Sequence, residues 1–291
     1  MRTIRLPDVS PTARRVAVGT FDGVHLGHRD VIAGCDSVLT FDPHPASVVT
    51  PLHAPRLLTD FARKAELIGA LGVQELIVIP FDKEFAARSA SEFVEEVLVG
   101  ALGAEHVNVG ENFRFGHRAQ GDPQLLQADE RFTTTVLPLL EIDGEIVSSS
   151  HIRGLVAAGE VDAAAQLLGA PFELRGEVGH GDERGRELGF PTANLVPDDR
   201  LVCPGHGVYA CRAGEHAAAV SVGVRPTFET GRGELIEAYL LDFDGDLYGG
   251  ELRLEFLSRL RGERRFQSAE ALIEQMRDDV RRTREIVAAT G

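Results

Sequence analysis

Residues 16–28 read VAVGTFDGVHLGH, a short apolar run followed by a glycine-rich turn and two histidines. A strand, then glycines, then the start of a helix is a common way for a chain to present backbone N–H groups to a phosphate. Glycine permits a backbone conformation or a close approach to a ligand that a side chain would obstruct. His25 and His28 share one face if a helical turn has begun, so both can reach one anion. The pattern predicts a phosphate site after the first strand, although a histidine pair alone is weak evidence for chemistry.

A second apolar run, residues 37–41, ends in Asp42-Pro43-His44-Pro45, which places another histidine after another strand. From residue 16 to about residue 168, apolar runs alternate with amphipathic helical stretches, and this predicts a parallel sheet with crossover helices. We expect ligands at the carboxyl edge of such a sheet. The predicted strands are 16–18, 38–41, 75–80, 106–109 and 134–139. The predicted helices are 59–71, with Thr59 as N-cap, and 91–102, with Phe93, Val94, Val97 and Leu98 on one face. The segment 29–36 leaves room for only a short first crossover helix, which Gly34 ends.

After Gly169-Ala170-Pro171 the pattern changes to alternating strands with glycine and proline turns, which predicts an antiparallel barrel or sandwich. Strands are expected at 236–243 and 251–256. Ser268 is the expected N-cap of a closing helix. Its predicted buried stripe is Leu272, Ile273, Met276, Val280 and Val287. The sequence therefore predicts two domains, 1–168 and 169–291.

The formal net charge of −15 argues against general binding of nucleic acid or anionic membranes. Anionic substrates must then be held by local arginines, histidines, backbone N–H groups and metal. The three cysteines show no C-x-x-C spacing, which argues against a structural zinc site and fits a reducing compartment. No apolar run has the length of a membrane span and no secretory signal is recognisable. We expect a cytoplasmic protein, and self-association stays open.

Two further motifs belong to the first predicted domain. Residues 107–116, VNVGENFRFG, repeat the order of strand, glycine and polar residues, and Phe113 and Phe115 suit either core packing or a ligand pocket. Residues 148–153, SSSHIR, precede an apolar-periodic stretch, so the serines suffice as N-caps. Arg153 is not explained in this way, because a cation near a helix N-terminus is unfavourable unless it meets an anion.

Three features of the second domain point to chemistry. Residues 179–189 contain four glycines, typical of a phosphate-wrapping loop or of a plain hairpin loop. Thr192 and Asn194 lie two apart on an extended segment, so a hydroxyl and an amide oxygen can hold one Mg²⁺. Glu237 lies on an otherwise apolar strand face. A carboxylate there is costly to bury unless it is paired or used, and a solvated face is the alternative.

Seven segments together resemble the bacterial bifunctional riboflavin kinase/FAD synthetase family, in the family's order and over nearly the whole chain. They are GTFDGVHLGH, TFDPHP, VGENFRFG, SSSHIR, GFPTAN, RPTF and IEAYLLDF. The resemblance implies a nucleotidyltransferase-like α/β domain that makes FAD from FMN and ATP. It also implies a six-stranded barrel with a C-terminal helix that phosphorylates riboflavin. ATP and Mg²⁺ are implied for both reactions, with flavins as substrates and products.

The resemblance also implies residue roles. Glu237 is the expected base that takes the proton of the ribityl hydroxyl, and His25, His28 and Arg153 are the expected catalytic residues of adenylyl transfer. The implied nucleotide contacts are Gly19, Phe21, Asp22, Gly27, Ser149, Ser150, Gly181, Arg184 and Gly185. The implied flavin contacts are Asn112, Phe113 and Arg261, and the implied metal ligands are Thr192 and Asn194. Ser221 departs from the family, which usually carries asparagine there.

Three other interpretations stay open from the sequence. In the first, the chain is an enzyme that retains one of the two activities, either adenylyl transfer or riboflavin phosphorylation, and the short first helix and Ser221 are the features that keep this interpretation open. A non-catalytic flavin or nucleotide sensor is the second interpretation, although Glu237 and both histidines are present. The third is a metal site formed by His25, His28 and His44.

Overall fold

The computed structural model describes residues 1–179, 190, 192–227 and 231–290. The chain divides into two compact units, Met1–Ser149 and Ser150–Gly291. Most of the helical segment before residue 168 thus groups with the second unit, whereas the sequence analysis assigns it to the first domain.

The first unit is built on a six-stranded parallel sheet with the order β1-β4-β3-β2-β5-β6. Its strands are β1 (Arg2–Arg5), β2 (Arg14–Val18), β3 (Ser37–Asp42), β4 (Glu75–Pro80), β5 (Ala104–Gly110) and β6 (Thr133–Leu137). A separate two-stranded hairpin joins β7 (Glu141–Ile142) and β8 (Glu145–Ile146). The parallel sheet and its five predicted strands are confirmed. The edge strand β1 was missed because only Ile4 in it is buried, which leaves no periodic apolar signal.

Short helices connect these strands. They are α1 (Leu26–Ile32), α2 (Pro45–Val49), α3 (Phe61–Ala70), α4 (Lys83–Ala86), α5 (Ala90–Glu92, continued by a π-helix over Phe93–Ala101) and α6 (Pro123–Gln127). Helix α7 (Ser149–Ala158) follows β8. The prediction that Thr59 caps the helix near residue 60 is wrong. Asp60 is the N-cap, because its Oδ1 accepts the Arg63 N–H at 2.6 Å, and Thr59 Oγ1 accepts the Gly23 N–H instead.

The core of the first unit lies on both faces of the sheet. Phe93, Val94, Val97 and Leu98 are buried together against the strands, as their spacing predicts. Burying each such side chain contributes about 1.5–3 kcal/mol to the free energy of unfolding.

The predicted short first crossover is also confirmed, because α1 has seven residues and Gly34 follows at φ +74°. The buried Asn108 amide donates to the Val31 carbonyl at 3.2 Å, which supplies a partner near the end of α1.

The second unit contains α8 (Val161–Leu168), a closed antiparallel barrel and the C-terminal helix α9 (Ala269–Ala289). The barrel strands follow the order β10-β13-β12-β11-β14-β9. They are β9 (Phe172–Gly179), β10 (Ala193–Pro197), β11 (Gly207–Ala213), β12 (His216–Thr227), β13 (Gly231–Leu240) and β14 (Glu251–Arg261). The sequence left a barrel and a sandwich as alternatives, and the structure confirms the barrel. Ser268 caps α9 as predicted, with its Oγ accepting the Ala271 N–H.

The predicted buried stripe of α9 is wrong in one respect. Leu272, Ile273, Met276, Val280 and Val287 are only partly buried. The fully buried positions of α9 are Asp279 and Thr283. The reason is an ion pair, since the Asp279 carboxylate accepts from Arg261 at the end of β14 (Nη2–Oδ2 2.8 Å) and from the Gln275 amide. A charged contact, and not the apolar stripe alone, holds this helix to the barrel.

Candidate functional site

The sheet of the first unit has a switch point at β2, where β3 lies on one side and β5 on the other. In open parallel sheets a crevice forms at the carboxyl ends of such strands, because the connections diverge there. The loop after β2 carries His25 and the loop after β5 carries Asn112. The fold therefore brings these two sequence motifs to the same edge.

The two histidines form a stacked pair. Their ring centroids are 3.5 Å apart with an interplanar angle of 15°. His25 is the N-cap of α1, and its Nδ1 accepts the backbone N–H of His28 at 3.2 Å. An accepting Nδ1 places the imidazole proton of His25 on Nε2. The orientation and the tautomer of His25 are thus set before any ligand binds.

His28 is held as a neutral imidazole. Burial lowers its pKa well below the ordinary 6.5, and the nearby His25 and Lys64 lower it further. The Phe21 and His28 rings form a T-shaped contact at a centroid distance of 5.3 Å. Its Nδ1 is buried and has no hydrogen-bond partner among the described residues. A bound anion would favour the charged imidazole and reverse part of this pKa shift.

The loop between β2 and α1 has an unusual backbone. Besides Gly23 at φ +83°, Phe21 and Val24 also have positive φ, at +51° and +44°. Val24 is β-branched and 1% exposed, so this conformation must be imposed by the surrounding packing. A Cβ at Gly19 would lie 3.0 Å from the Phe21 ring, so any larger residue there would require that ring to shift. At Gly27 a Cβ would make only an ordinary 3.5 Å contact with His25.

Asp22 connects this loop to two other segments. Its Oδ1 accepts the backbone N–H groups of Leu58 at 2.8 Å and of Thr59 at 3.2 Å. Its carbonyl accepts from Ser149 Oγ at 3.0 Å. The Asp22 side chain therefore organises the edge of the site, and Ser149, the first residue of α7, is tied to the same loop.

Lys64 is a site residue that the sequence analysis missed. It lies on α3, is 8% exposed, and its Nζ donates to the Thr20 carbonyl, Thr40 Oγ1 and the Phe41 carbonyl. Burial lowers its pKa, while the carboxylates of Asp22 and Asp42 oppose that shift. The available signal was its spacing, because Lys64 shares the buried helix face with Ile68 four residues later.

The aromatic residues after β5 divide between the two predicted roles. Phe115 is 6% exposed and belongs to the core, whereas Phe113 is partly exposed and stacks on Phe115 at 5.4 Å. They extend a run of ring contacts, at centroid distances of 5.3–6.4 Å, through Phe41, Phe81, Phe85 and Phe93. Asn112 is exposed beside them. Phe113 and Asn112 are thus accessible at this edge and Phe115 is not.

Ser150 and Arg153 belong to the second unit and lie near the start of α7. The Arg153 guanidinium donates to Ser150 Oγ at 2.9 Å. This contact holds the cation near the start of the helix, where the sequence analysis expects it to meet an anion.

The barrel brings the predicted kinase residues onto one row. Asn194 on β10 pairs directly with Glu237 on β13, and Glu237 pairs with Ser221 on β12. The row continues to Val208 on β11 and Arg261 on β14. The residues flanking Glu237, Ile236 and Ala238, are fully buried inside the barrel, so the row lies on its outer face. Directly paired residues are close neighbours, so Asn194 and Glu237 can act on one substrate.

Asn194 has the features expected of a cation ligand. Its side chain is 7% exposed, and its Oδ1 is buried without a hydrogen-bond partner in the part of the chain that the structure describes. Leaving a buried amide oxygen unpaired costs free energy. Amide and hydroxyl oxygens are ligands that Mg²⁺ accepts, so Thr192 and Asn194 fit the predicted metal site.

The surroundings of Glu237 are partly aromatic. Tyr239, two residues further along the same strand face, meets the edge of the Phe190 ring at 5.3 Å. Phe190 opens the FPTAN segment that carries Thr192 and Asn194. The predicted nucleotide contacts Gly181, Arg184 and Gly185 lie outside the described residues.

Arg261 is engaged in the ion pair with buried Asp279 and lies over the Phe266 ring at 5.6 Å. Along the row it is three strands from Glu237, or about 14 Å at the usual strand spacing. Its contact with α9 gives it a structural task, and its flavin contact stays a prediction.

The structure lends no support to a histidine metal site. His44 is the N-cap of α2, and its Nδ1 accepts the Ala46 N–H at 3.2 Å. Within residues 1–179, 190, 192–227 and 231–290, no three His, Cys, Asp or Glu side chains come together in a way that could hold a metal ion. Over the same residues, no helix is long and apolar enough to cross a membrane.

Comparisons with known proteins match each unit separately. A family model described as FAD synthetase matches residues 9–151, and one described as riboflavin kinase matches residues 168–287. The bifunctional riboflavin kinase/FMN adenylyltransferase of Listeria monocytogenes is 38% identical over 94% of this chain and 92% of its own length. The protein of the same name from Pseudomonas fluorescens is 39% identical over 94% and 93%.

Among solved structures, one described as a macrolide-efflux protein from Streptococcus pneumoniae superimposes with a TM-score of 0.88 and 30% identity. It covers 98% of this chain and 99% of its own. The likeness therefore extends over both units.

Proposed function

We propose the following residue roles for this chain, which belongs to the bifunctional riboflavin kinase/FMN adenylyltransferase family. The chain is a riboflavin kinase in its C-terminal domain and an FMN adenylyltransferase in its N-terminal domain. Riboflavin and ATP give FMN and ADP, and then FMN and a second ATP give FAD and pyrophosphate. Matches to both domains leave the single-activity and sensor interpretations without support.

In the kinase reaction the nucleophile is a neutral hydroxyl, so a base must take its proton. Glu237 is that base, and the ribityl hydroxyl attacks the γ-phosphorus of ATP while the bond to the β-phosphate oxygen breaks. Thr192 and Asn194 would hold Mg²⁺, which would neutralise charge on the ATP phosphates. Positioning and neutralisation account for most of catalysis in phosphoryl transfer, so few protein groups are needed.

The observation that carries this assignment is the direct pairing of Asn194 with Glu237. It sets a metal-binding oxygen beside the carboxylate, and the buried, unpartnered Asn194 Oδ1 has a use when a cation is present.

In the adenylyl transfer the nucleophile is the FMN phosphate, which is already an anion and requires no base. It attacks the α-phosphorus of ATP, and the bond to the oxygen bridging to the β-phosphate breaks. The protein must supply donors and positive charge to the α-phosphate and the leaving pyrophosphate. His25 can donate from Nε2, and His28 can take up a proton as the polyphosphate approaches. Arg153 adds a permanent cation.

The remaining assignments follow the family pattern. Gly19, Phe21, Asp22, Gly27, Ser149 and Ser150 shape the ATP site of the first domain, and Gly181, Arg184 and Gly185 that of the second. Asn112 and Phe113 line the flavin site of the first domain, and Arg261 belongs to the flavin side of the second. A cytoplasmic location and the lack of nucleic-acid or membrane partners stay predictions.

A product balance tests the two reactions. Purified protein with ATP and Mg²⁺ is supplied with either riboflavin or FMN, and flavins, ADP and pyrophosphate are measured over time. From riboflavin we expect equal amounts of ADP and pyrophosphate for each FAD formed, and from FMN only pyrophosphate. ADP without pyrophosphate from riboflavin would contradict the adenylyltransferase roles. Pyrophosphate from FMN but no ADP from riboflavin would contradict the kinase roles.

A further inference from the structure

Lys64 is unusual in this sequence. Of the 30 lysine and arginine residues only two, Lys64 and Lys83, are lysines. The chain therefore uses arginine at nearly every basic position but keeps lysine at a buried one. The two cations differ in shape, because lysine ends in a compact ammonium and arginine in a planar fork of five N–H groups.

The contacts of Lys64 explain this choice. An ammonium has three N–H donors, and Lys64 Nζ has three acceptors, at 3.2 Å (Thr20 carbonyl), 3.3 Å (Thr40 Oγ1) and 3.3 Å (Phe41 carbonyl). The Phe61 ring lies 5.7 Å from Nζ and adds a cation–π contact. The site is built for an ammonium, and a larger guanidinium would not match it.

These acceptors belong to the two segments that form the edge of the adenylyl-transfer site. Thr20 lies in the loop that carries the histidine pair, and Thr40 and Phe41 lie near the end of β3, whose last residue is Asp42. Lys64 itself comes from α3, so one ammonium connects three elements. A buried charge is costly, and three hydrogen bonds offset that cost only while this geometry is kept.

The charge of Lys64 also reaches the histidine pair. It is one of the groups that lower the pKa of His28, after burial and His25. Burial lowers the pKa of Lys64, and the carboxylates of Asp22 and Asp42 oppose that shift. Asp22 Oδ1 accepts two backbone N–H groups, those of Leu58 and Thr59.

We propose that Lys64 is a positioning residue of the adenylyl-transfer reaction. Its ammonium holds the loop after β2 and the end of β3 in the arrangement that presents His25 and His28 to the ATP phosphates, and it adds a positive charge near them. This inference rests on the proposed roles of the histidine pair. Lys64 does not itself react in this proposal, and the three acceptors around its ammonium explain why the residue is lysine and not arginine.

Three variants test the inference by steady-state kinetics of FMN adenylylation, with riboflavin phosphorylation measured on the same samples. Lys64→Met keeps an apolar stem without charge, Lys64→Arg keeps the charge, and Lys83→Met is the matched control at an exposed lysine. We expect Lys64→Met to lower kcat for adenylylation about 10- to 100-fold, with a much smaller change in the KM for ATP. Lys64→Arg should not restore kcat. Lys83→Met should match the wild type, and riboflavin phosphorylation should be unchanged in all three.

Two outcomes overturn the inference. Wild-type adenylylation in Lys64→Met would mean that neither the charge nor its hydrogen bonds matter. Wild-type adenylylation in Lys64→Arg would mean that any cation suffices and the three-acceptor geometry does not. Failure of the proposed function is separate, since the wild-type protein would then make no FAD from FMN.

A measurement on the unaltered protein covers the case in which the variants do not fold. Both lysines lie in the first unit, so protein labelled with [ε-¹³C]lysine gives two side-chain signals and none from the barrel. The Lys83→Met spectrum assigns them. On addition of Mg²⁺, FMN and α,β-methylene-ATP we expect the Lys64 signal to shift and the Lys83 signal to stay. An unmoved Lys64 signal at an α,β-methylene-ATP concentration that blocks FAD formation from FMN and ATP by the same protein would overturn the inference.

Discussion

In the N-terminal unit the candidate residues come from loops that follow different parallel strands, whereas in the barrel they lie side by side on neighbouring antiparallel strands. His25 and Asn112 are far apart in sequence and reach the same sheet edge because the crossovers return to it, and Ser149 Oγ donates to the Asp22 carbonyl in the loop that carries His25. Asn194 and Glu237 meet through strand register. The parallel sheet therefore builds its site from loop conformation, and the barrel builds its site from pairing.

The difference in how the two sites are built matches a difference in the reactions that they carry out. The kinase must activate a neutral hydroxyl, so it needs one carboxylate at a definite distance from the metal and the phosphates. A register position on a rigid strand supplies such a distance. Adenylyl transfer starts from an anion and needs donors spread around a polyphosphate, which loops can surround. This contrast leads to expected effects of different size in the two units.

The largest expected effect is that of Glu237→Gln. Loss of a general base lowers a rate by about 10²- to 10⁴-fold, so riboflavin phosphorylation should fall by that factor. Conversion of FMN to FAD should be unchanged, because the second reaction needs no base. Separate assays with riboflavin and with FMN measure both, and Glu251→Gln, an exposed carboxylate on β14, is the control. Loss of both activities in a folded variant would contradict the assignment of one reaction to each unit.

His28→Ala should have the reverse effect. Removing one preorganised donor of this kind costs about 10²- to 10³-fold, and we expect that loss in FAD formation from FMN. Riboflavin phosphorylation should be retained, which makes the Glu237→Gln protein its reciprocal control. Undiminished FAD formation would show that the stacked pair has only a structural role.

Asn194→Ala tests the proposed metal site of the barrel, and its expected effect is smaller than those of Glu237→Gln and His28→Ala. The Mg²⁺ concentration for half-maximal riboflavin phosphorylation should rise by about tenfold or more, the lower end of the effect of disturbing a metal's surroundings. Stability without metal should change little, because the amide oxygen that is removed has no partner among the described residues. Asn112→Ala is the matched control in the first unit. An unchanged Mg²⁺ requirement would remove Asn194 from the metal site.

The smallest expected effect is a pH dependence of stability that belongs to the first unit alone. The pKa of His28 is lowered on folding, so below about pH 6.5 the unfolded chain binds more protons than the folded one. The free energy of unfolding should then decrease as the pH falls below 6.5, by at most about 1.4 kcal/mol per pH unit from this group. Denaturant unfolding of the wild type and of His28→Gln between pH 7.5 and 5.5 measures it, and the variant should lose less. Equal acid sensitivity of the two proteins would contradict the burial of a neutral His28.

Local sequence signals predicted much of the fold and of the site. Strand alternation, glycine turns and the Ser268 cap depend on residues only a few positions apart, so they are visible in the sequence. They predicted the parallel sheet, the short α1, the barrel and the start of α9. The motifs, together with the family resemblance, also predicted Glu237, the histidines and the Thr192–Asn194 pair.

Other features depend on contacts between distant parts of the chain. Strand β1 has one buried residue, and only its pairing with β4 makes it a strand. Phe113 and Phe115 have the same sequence pattern but different burial, and the buried positions of α9 are polar because Asp279 meets Arg261.

What the sequence alone determined, then, is the order of the domains, the type of each domain and the chemical groups available in it. What only the tertiary structure decided is which of those groups are neighbours: Asn194 beside Glu237, the stacked histidines, and Lys64 beside the Thr20 carbonyl of the loop that carries them. The physical reason is range. Periodicity and capping are short-range properties of the chain, whereas strand register, burial and the pKa shifts that follow from burial are set by residues tens of positions away.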